Sequence, residues 1–188
     1  MRLFFFIISS LFLFSCIPYR ISPSIETYRI MNNRRFLKKV PKSKSFVFID
    51  PKEADEFHRF ITIKLTPTRP WESPLPYWET QQFLFTIERD SFYLTYYEAY
   101  KVTKTINLLP IFIDKSLNKK QIDPLLEDHY SSSRDHWYII LTVRDANEKD
   151  ALNTKHPFRA KVIAYLEAIR REYLSTHNYT DQLFKKEY

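Results

Sequence analysis

The chain has 188 residues, a formal charge of +7, aromatic residues at 17% and no glycine. That length suits one folded domain behind a short leader, and the supply of large rings provides a core without disulfides. The missing glycine excludes, in their usual forms, the phosphate-cradling loop, the dinucleotide-binding turn and the serine-hydrolase elbow, which all rely on a residue without a Cβ.

The chain opens with Met1 and Arg2, then runs LFFFIISSLFLF over residues 3–14. One cation before such a run is the layout of a signal peptide, and the run falls short of the ~20 residues a membrane-spanning helix needs. Leu13-Phe14-Ser15-Cys16 follows, with an aliphatic residue at −3 and a small one at −1. Residues 1–16 thus resemble the leader and lipobox of bacterial lipoproteins. The resemblance implies cleavage after Ser15, a diacylglycerol thioether on Cys16 and acylation of the new amino terminus. Cys16 is the single cysteine, and a thiol consumed as a thioether is no liability in an oxidising envelope. Ile17, where an Asp would signal retention in the inner membrane, points to the outer membrane of a Gram-negative bacterium.

Residues 16–45 read as a basic tether. Arg20, Arg29, Arg34, Arg35, Lys38, Lys39, Lys42 and Lys44 are opposed only by Glu26, so the stretch carries +7, whereas residues 46–188 carry −1. Cations count most within a Debye length of anionic headgroups, ~8–10 Å. Ser24 is placed to cap a short helix over 24–31, with Ile25, Tyr28 and Met31 on one side and Asn32-Asn33 as its stop. Either this segment lies on the membrane surface or it is a solvated tether. Its charge does not indicate nucleic acid, because the expected location is the envelope.

Residues 46–188 read as one α+β domain: an antiparallel β-meander of about five or six strands packed against a C-terminal amphipathic helix. A strand is predicted over 46–49, and Asp50-Pro51-Lys52-Glu53 then opens a helix that fades near His58. Alternation over 59–65 predicts a second strand. Prolines 67, 70, 74 and 76 make 66–80 an extended loop bearing Trp71, Tyr77 and Trp78, either a recognition surface or a cap on the core. Residues 82–100 read as a hairpin turning at Arg89-Asp90, with Asp90 taking the backbone shape glycine usually supplies. Strands are predicted over 101–107 and, broken at Pro110, over 108–113. A brief helical turn is expected from Asp123 to Glu127. Residues 136–143 form the best candidate for a central strand covered on both faces. The final helix starts near Pro157, carries apolar residues at three- and four-residue spacing, and ends at Asn178. Ala160, Ala164 and Ala168 form a small-residue stripe suited to close approach, and Glu167 and Arg171 are set for an i,i+4 pair.

Asp128-His129 and Asp135-His136, with Ser131, Ser132 and Ser133 between them, suggest a metal site or a serine activated by a His–Asp pair. Neither has the expected support: the spacing is not that of paired ligands on one helical turn, and no oxyanion donor is signalled. The leading expectation is a non-enzymatic, membrane-anchored binding or assembly module with an envelope protein partner and no cofactor or metal. The alternatives are an immunity or protective lipoprotein directed against an envelope toxin, and a hydrolase or metal-binding protein using the two Asp-His pairs.

Overall fold

In a computed structural model the described residues are 16–38, 42–52, 55–65, 82–118 and 123–176. The leader 1–15, the proline-rich loop with Trp71, Tyr77 and Trp78, the cation Lys39 and the helix stop Asn178 lie outside them. The described elements are β1 (Cys16–Arg20), β2 (Arg29–Asn32), β3 (Lys44–Asp50), α1 (Glu56–Leu65), β4 (Gln82–Ile87), β5 (Asp90–Asn107), α2 (Leu108–Asn118), β6 (Ser131–Asp145) and α3 (Arg159–Ser175). Short 3-10 turns occur at Asn33–Arg35 and Glu127–His129.

The protein is α+β, with an antiparallel sheet whose hydrogen-bonded order is β1-β5-β6-β3-β2 and with β4 also paired to β5. That order is not a meander, since β3 returns beside β6. The reason lies in the side chains. Phe46, Val47 and Phe48 on β3 and Tyr138, Ile139, Ile140 and Leu141 on β6 are all essentially inaccessible to solvent. Strands apolar on both faces belong where both faces are covered. By contacts the chain divides into two compact units. One holds the residues up to Ser24 together with Tyr100–His136; the other holds Ile25–Ala99 and the residues from Trp137 onward. The strands β5 and β6 pass through both.

In the second unit, one face of β3 and β6 joins Phe57, Phe60 and Ile61 of α1 and Val162, Leu166, Ile169 and Tyr173 of α3 in the main core. The opposite face, with Val47, Tyr138 and Ile140, is covered by Ile25, Phe36 and Ala99. Residues 59–65 are not a strand. Phe57, Phe60 and Ile61 stand at i, i+3 and i+4, and the first two place their rings 5.0 and 5.3 Å from that of Tyr173. Both periods fit this short segment, and the helical one sets Phe57 and Phe60 together on the side of Tyr173. Asp50 accepts hydrogen bonds from the Tyr173 hydroxyl at 2.9 Å to each carboxylate oxygen. Lys52 Nζ donates to the carbonyl of Tyr173 in the last turn of α3 and to that of Thr176 just after it, where a cation meets the negative end of the helix dipole.

The hairpin from β4 to β5 turns one residue earlier than predicted. Ile87 pairs with Asp90, so Glu88 and Arg89 occupy the two-residue turn, with φ of 53° and 87°. Asp55 and Glu148 also have positive φ, so a chain without glycine uses Asp, Glu and Arg at these positions. Ala160, Ala164 and Ala168 are exposed on α3, and large side chains make its buried face. Glu167 pairs with Arg171 at 2.8 Å and also with Arg170 at 2.7 Å.

Residues 16–45 contribute strands to the sheet where a tether was expected. No helix forms over 24–31; Arg29–Asn32 is β2, paired with β3. Asn32 instead caps the 3-10 turn through Arg34 N at 3.1 Å, and the buried Asn33 exchanges hydrogen bonds with Ser43. In the first unit β5 continues unbroken to Asn107, and the predicted strand at 108–113 is the start of helix α2. Pro110 sits in the first turn, where its missing N–H would have had no helical partner. The helical turn expected over 123–127 forms further on, at Glu127–His129.

Candidate functional site

Cys16 opens β1 and is exposed. The β1–β5 register sets it opposite Asn107, the last residue of β5, and Ile17 opposite Ile106. The thiol donates to Asn107 Oδ1 at 2.6 Å. Asn107 is itself fixed, its backbone N–H donating to Tyr130 O and its side-chain Nδ2 to His129 O, both at 2.9 Å. A group attached to the Cys16 sulfur therefore emerges one residue from the start of α2 at Leu108.

Helix α2 is apolar on more than one side: Ile111 and Leu117, three residues before and after Asp114, are half-buried beside it. Among its described side chains the buried one is a carboxylate, Asp114, 2% exposed. Asp114 accepts from the backbone N–H groups of Leu125 and Leu126 at 3.1 and 2.7 Å and from the Tyr130 hydroxyl at 2.8 Å. Burial pushes this carboxyl up, but the three donors outweigh burial and hold it below the ordinary aspartate value. The Tyr130 hydroxyl is raised, first by burial and then by Asp114. At 3.6 residues per turn, Phe112 stands about 200° round the helix from Asp114 and Leu109 about 140°. Phe112 is 69% exposed, and Leu108, Leu109 and Ile113 are exposed with it. Among the described residues, every exposed large hydrophobic side chain except Leu84 and Trp137 lies in this first unit. This face is hidden in the sequence because Pro110 there reads as a break in a strand. The signal was Asp114, a lone acid inside an apolar stretch.

The charges expected near the anchor are distributed between the two units. Arg20 lies on β1 in the first unit, with Lys104 as its register partner on β5. Arg29 on β2, Arg34 and Arg35 in the 3-10 turn, Lys38, Lys42 and Lys44 belong to the second. Like charges directly opposite on a strand pair repel. Among the described residues no ion pair joins Arg20 or Lys104 to a carboxylate.

Asp128 and His129 stand in the second 3-10 turn, exposed, while Asp135 and His136 lie on β6. Asp135 bonds to the Tyr100 hydroxyl, and Ser132 shares a hydrogen bond with Thr105. Among the described residues no group of three His, Cys, Asp or Glu side chains is placed to hold a metal ion. The second unit has a cleft of about 250 Å³ lined by Ser91, Asp145, His156 and Phe158, among others. Its acid–imidazole pair is committed to the local fold. His156 Nδ1 accepts from Phe158 N at 3.3 Å, which leaves Nε2 to donate to Asp145 at 3.3 Å. Asp145 also accepts from Asn147 N and Lys149 N and so shapes its own turn.

No described helix is long and apolar enough to cross a membrane. No family model matches the chain, and neither a curated protein nor a solved structure matches it.

Proposed function

We propose that the chain is a bacterial envelope lipoprotein, held at the outer membrane by acyl chains on Cys16, whose folded part is a non-enzymatic binding or assembly module for an envelope protein. The observation that carries this reading is the apolar run over 3–14 ending at Ser15 and the chain's single cysteine. An exposed Cys16 at the start of β1 fits it, because the sulfur is open to modification without opening the core. Thioether formation removes the proton donated to Asn107 Oδ1, and that oxygen can turn to water at little cost because the pair is exposed. Several acyl chains, each adding ~0.8 kcal/mol per buried methylene, make such an anchor stable.

Metabolic labelling with an alkyne fatty acid, followed by membrane fractionation, tests the anchor. The native chain should incorporate the label and sediment with membranes, and Cys16→Ala should do neither. A Cys16→Ala chain that stays in the membrane fraction, or a native chain without label, contradicts the reading. The binding role is tested by crosslinking the anchored chain in intact envelopes. A reproducible protein adduct supports it, and adducts no different from those of an unrelated lipoprotein count against it.

A further inference from the structure

We propose that the exposed apolar face of α2, carried by Leu108, Leu109, Phe112 and Ile113, seats in the headgroup–acyl boundary of the membrane that holds Cys16, so that the first unit lies on the bilayer. The proposal rests on the anchor reading above and adds the surface that meets the lipid.

Three observations identify a lipid surface as the occupant. The first is position: Cys16 and Asn107 are register partners with a hydrogen bond between their side chains, and α2 starts at the next residue. Acyl chains leaving this sulfur must enter the hydrocarbon, which brings Leu108 to the interface at the same time. The second is the fixed rotation of α2. Asp114 is bound on the protein side by three donors, and the helix cannot turn its apolar face inward without stranding that carboxylate. The third is charge. Arg20 and Lys104 face each other across β1 and β5, and an anionic headgroup between them would relieve the repulsion. Lys115, exposed one turn after Phe112, can run its stem along the apolar face with its ammonium among the headgroups. A short helix with a wide apolar face and flanking cations is the arrangement that lies in the plane of an interface.

The lipidated chain offers a direct test, since its Cys16 thiol is consumed. Phe112→Cys and, as a control in the second unit, the exposed Leu84→Cys would each be labelled with a polarity-sensitive fluorophore in vesicles of phosphatidylethanolamine and phosphatidylglycerol. Both sites are exposed, so folding should be undisturbed. The probe at 112 should shift to the blue and be quenched by spin-labelled lipid, and the probe at 84 should do neither. A probe at 112 that stays as water-exposed as that at 84 overturns the proposal. So does one already shifted in detergent-free solution, which would mean that a second copy or the chain itself covers the face.

The Cys16→Ser chain reads the face without the anchor. It should bind the same vesicles weakly, and adding Phe112→Asp should lower its partition roughly tenfold or more, as expected for losing one buried aromatic ring. Partition unchanged by Phe112→Asp counts against the face. An unmodified Cys16 by intact mass counts against the anchor, so the two failures are distinct.

Discussion

Arg89 occupies a turn position at φ 87° that a residue with a Cβ enters at a cost. Replacing it with glycine should raise unfolding stability by about 0.5–1 kcal/mol, the steric relief less the added entropy of the unfolded chain. Urea denaturation would read the change. Glu88 is left in place because its carboxylate pairs with Lys161. The turn was legible one residue out of place, since Asp90 is the better turn former by type whereas Ile87–Asp90 pairing is fixed by the register of Phe83 and Phe85 into the core. Tyr173→Phe removes the hydroxyl that donates to both oxygens of the buried Asp50. It should cost about 1–3 kcal/mol at neutral pH. Asp50 is raised above its ordinary value of 3.8, first by burial, against the Lys52 and Tyr173 hydrogen bonds. A raised carboxyl favours the fold below its unfolded pKa and loses that benefit as pH rises through its folded pKa. Tyr173 offsets this by stabilising the ionised form, so the loss in Tyr173→Phe should shrink as pH falls toward 3.8 from above, through the raised folded pKa. No such shrinkage would mean that the hydroxyl acts by packing alone.

Among the elements, α2 differs most from its reading in sequence. A proline in the third position of LLPIFID looks like a strand breaker, and only the three donors waiting for Asp114 make the helix the better solution. Those donors come from residues 125, 126 and 130, whose nearness to 114 no local pattern reveals. The clamp carries a pH dependence. Asp114 sits below its ordinary value of 3.8, so its contribution is present above that value and is lost as pH falls through the folded pKa. Protection of α2 amides from hydrogen exchange should therefore drop below about pH 4 relative to protection in β3. In Asp114→Asn it should be lower at neutral pH and nearly flat across this range. Equal protection in both chains at every pH would remove Asp114 as the clamp. By contrast, the C-terminal helix was legible within two residues at its start, because its apolar spacing is that of a helix buried on one side. Its alanine stripe was misassigned to the packed side, since helical spacing alone does not say which of two neighbouring faces turns inward.

At the scale of the whole molecule, the two units differ in what they leave exposed. The second closes a core of rings around β3, β6, α1 and α3, whereas the first leaves its apolar residues open on the side of α2 away from Asp114. The segment 16–45, expected to hang between lipid and domain, is drawn into the sheet because Ile25 and Phe36 cover the second face of β3 and β6. That burial follows from partners far along the chain, so charge was its only visible property in sequence. The protein partner proposed above leaves no comparable mark, since a protein-binding surface needs neither fixed spacing nor special residue types. The proposed anchor does leave one in the sequence, and Cys16 stands at its centre. Intact mass of the protein extracted from membranes is the most direct measurement. The expected product is a chain lacking residues 1–15 and carrying a lipid increment on Cys16, and a chain with a free Cys16 thiol would contradict the anchor.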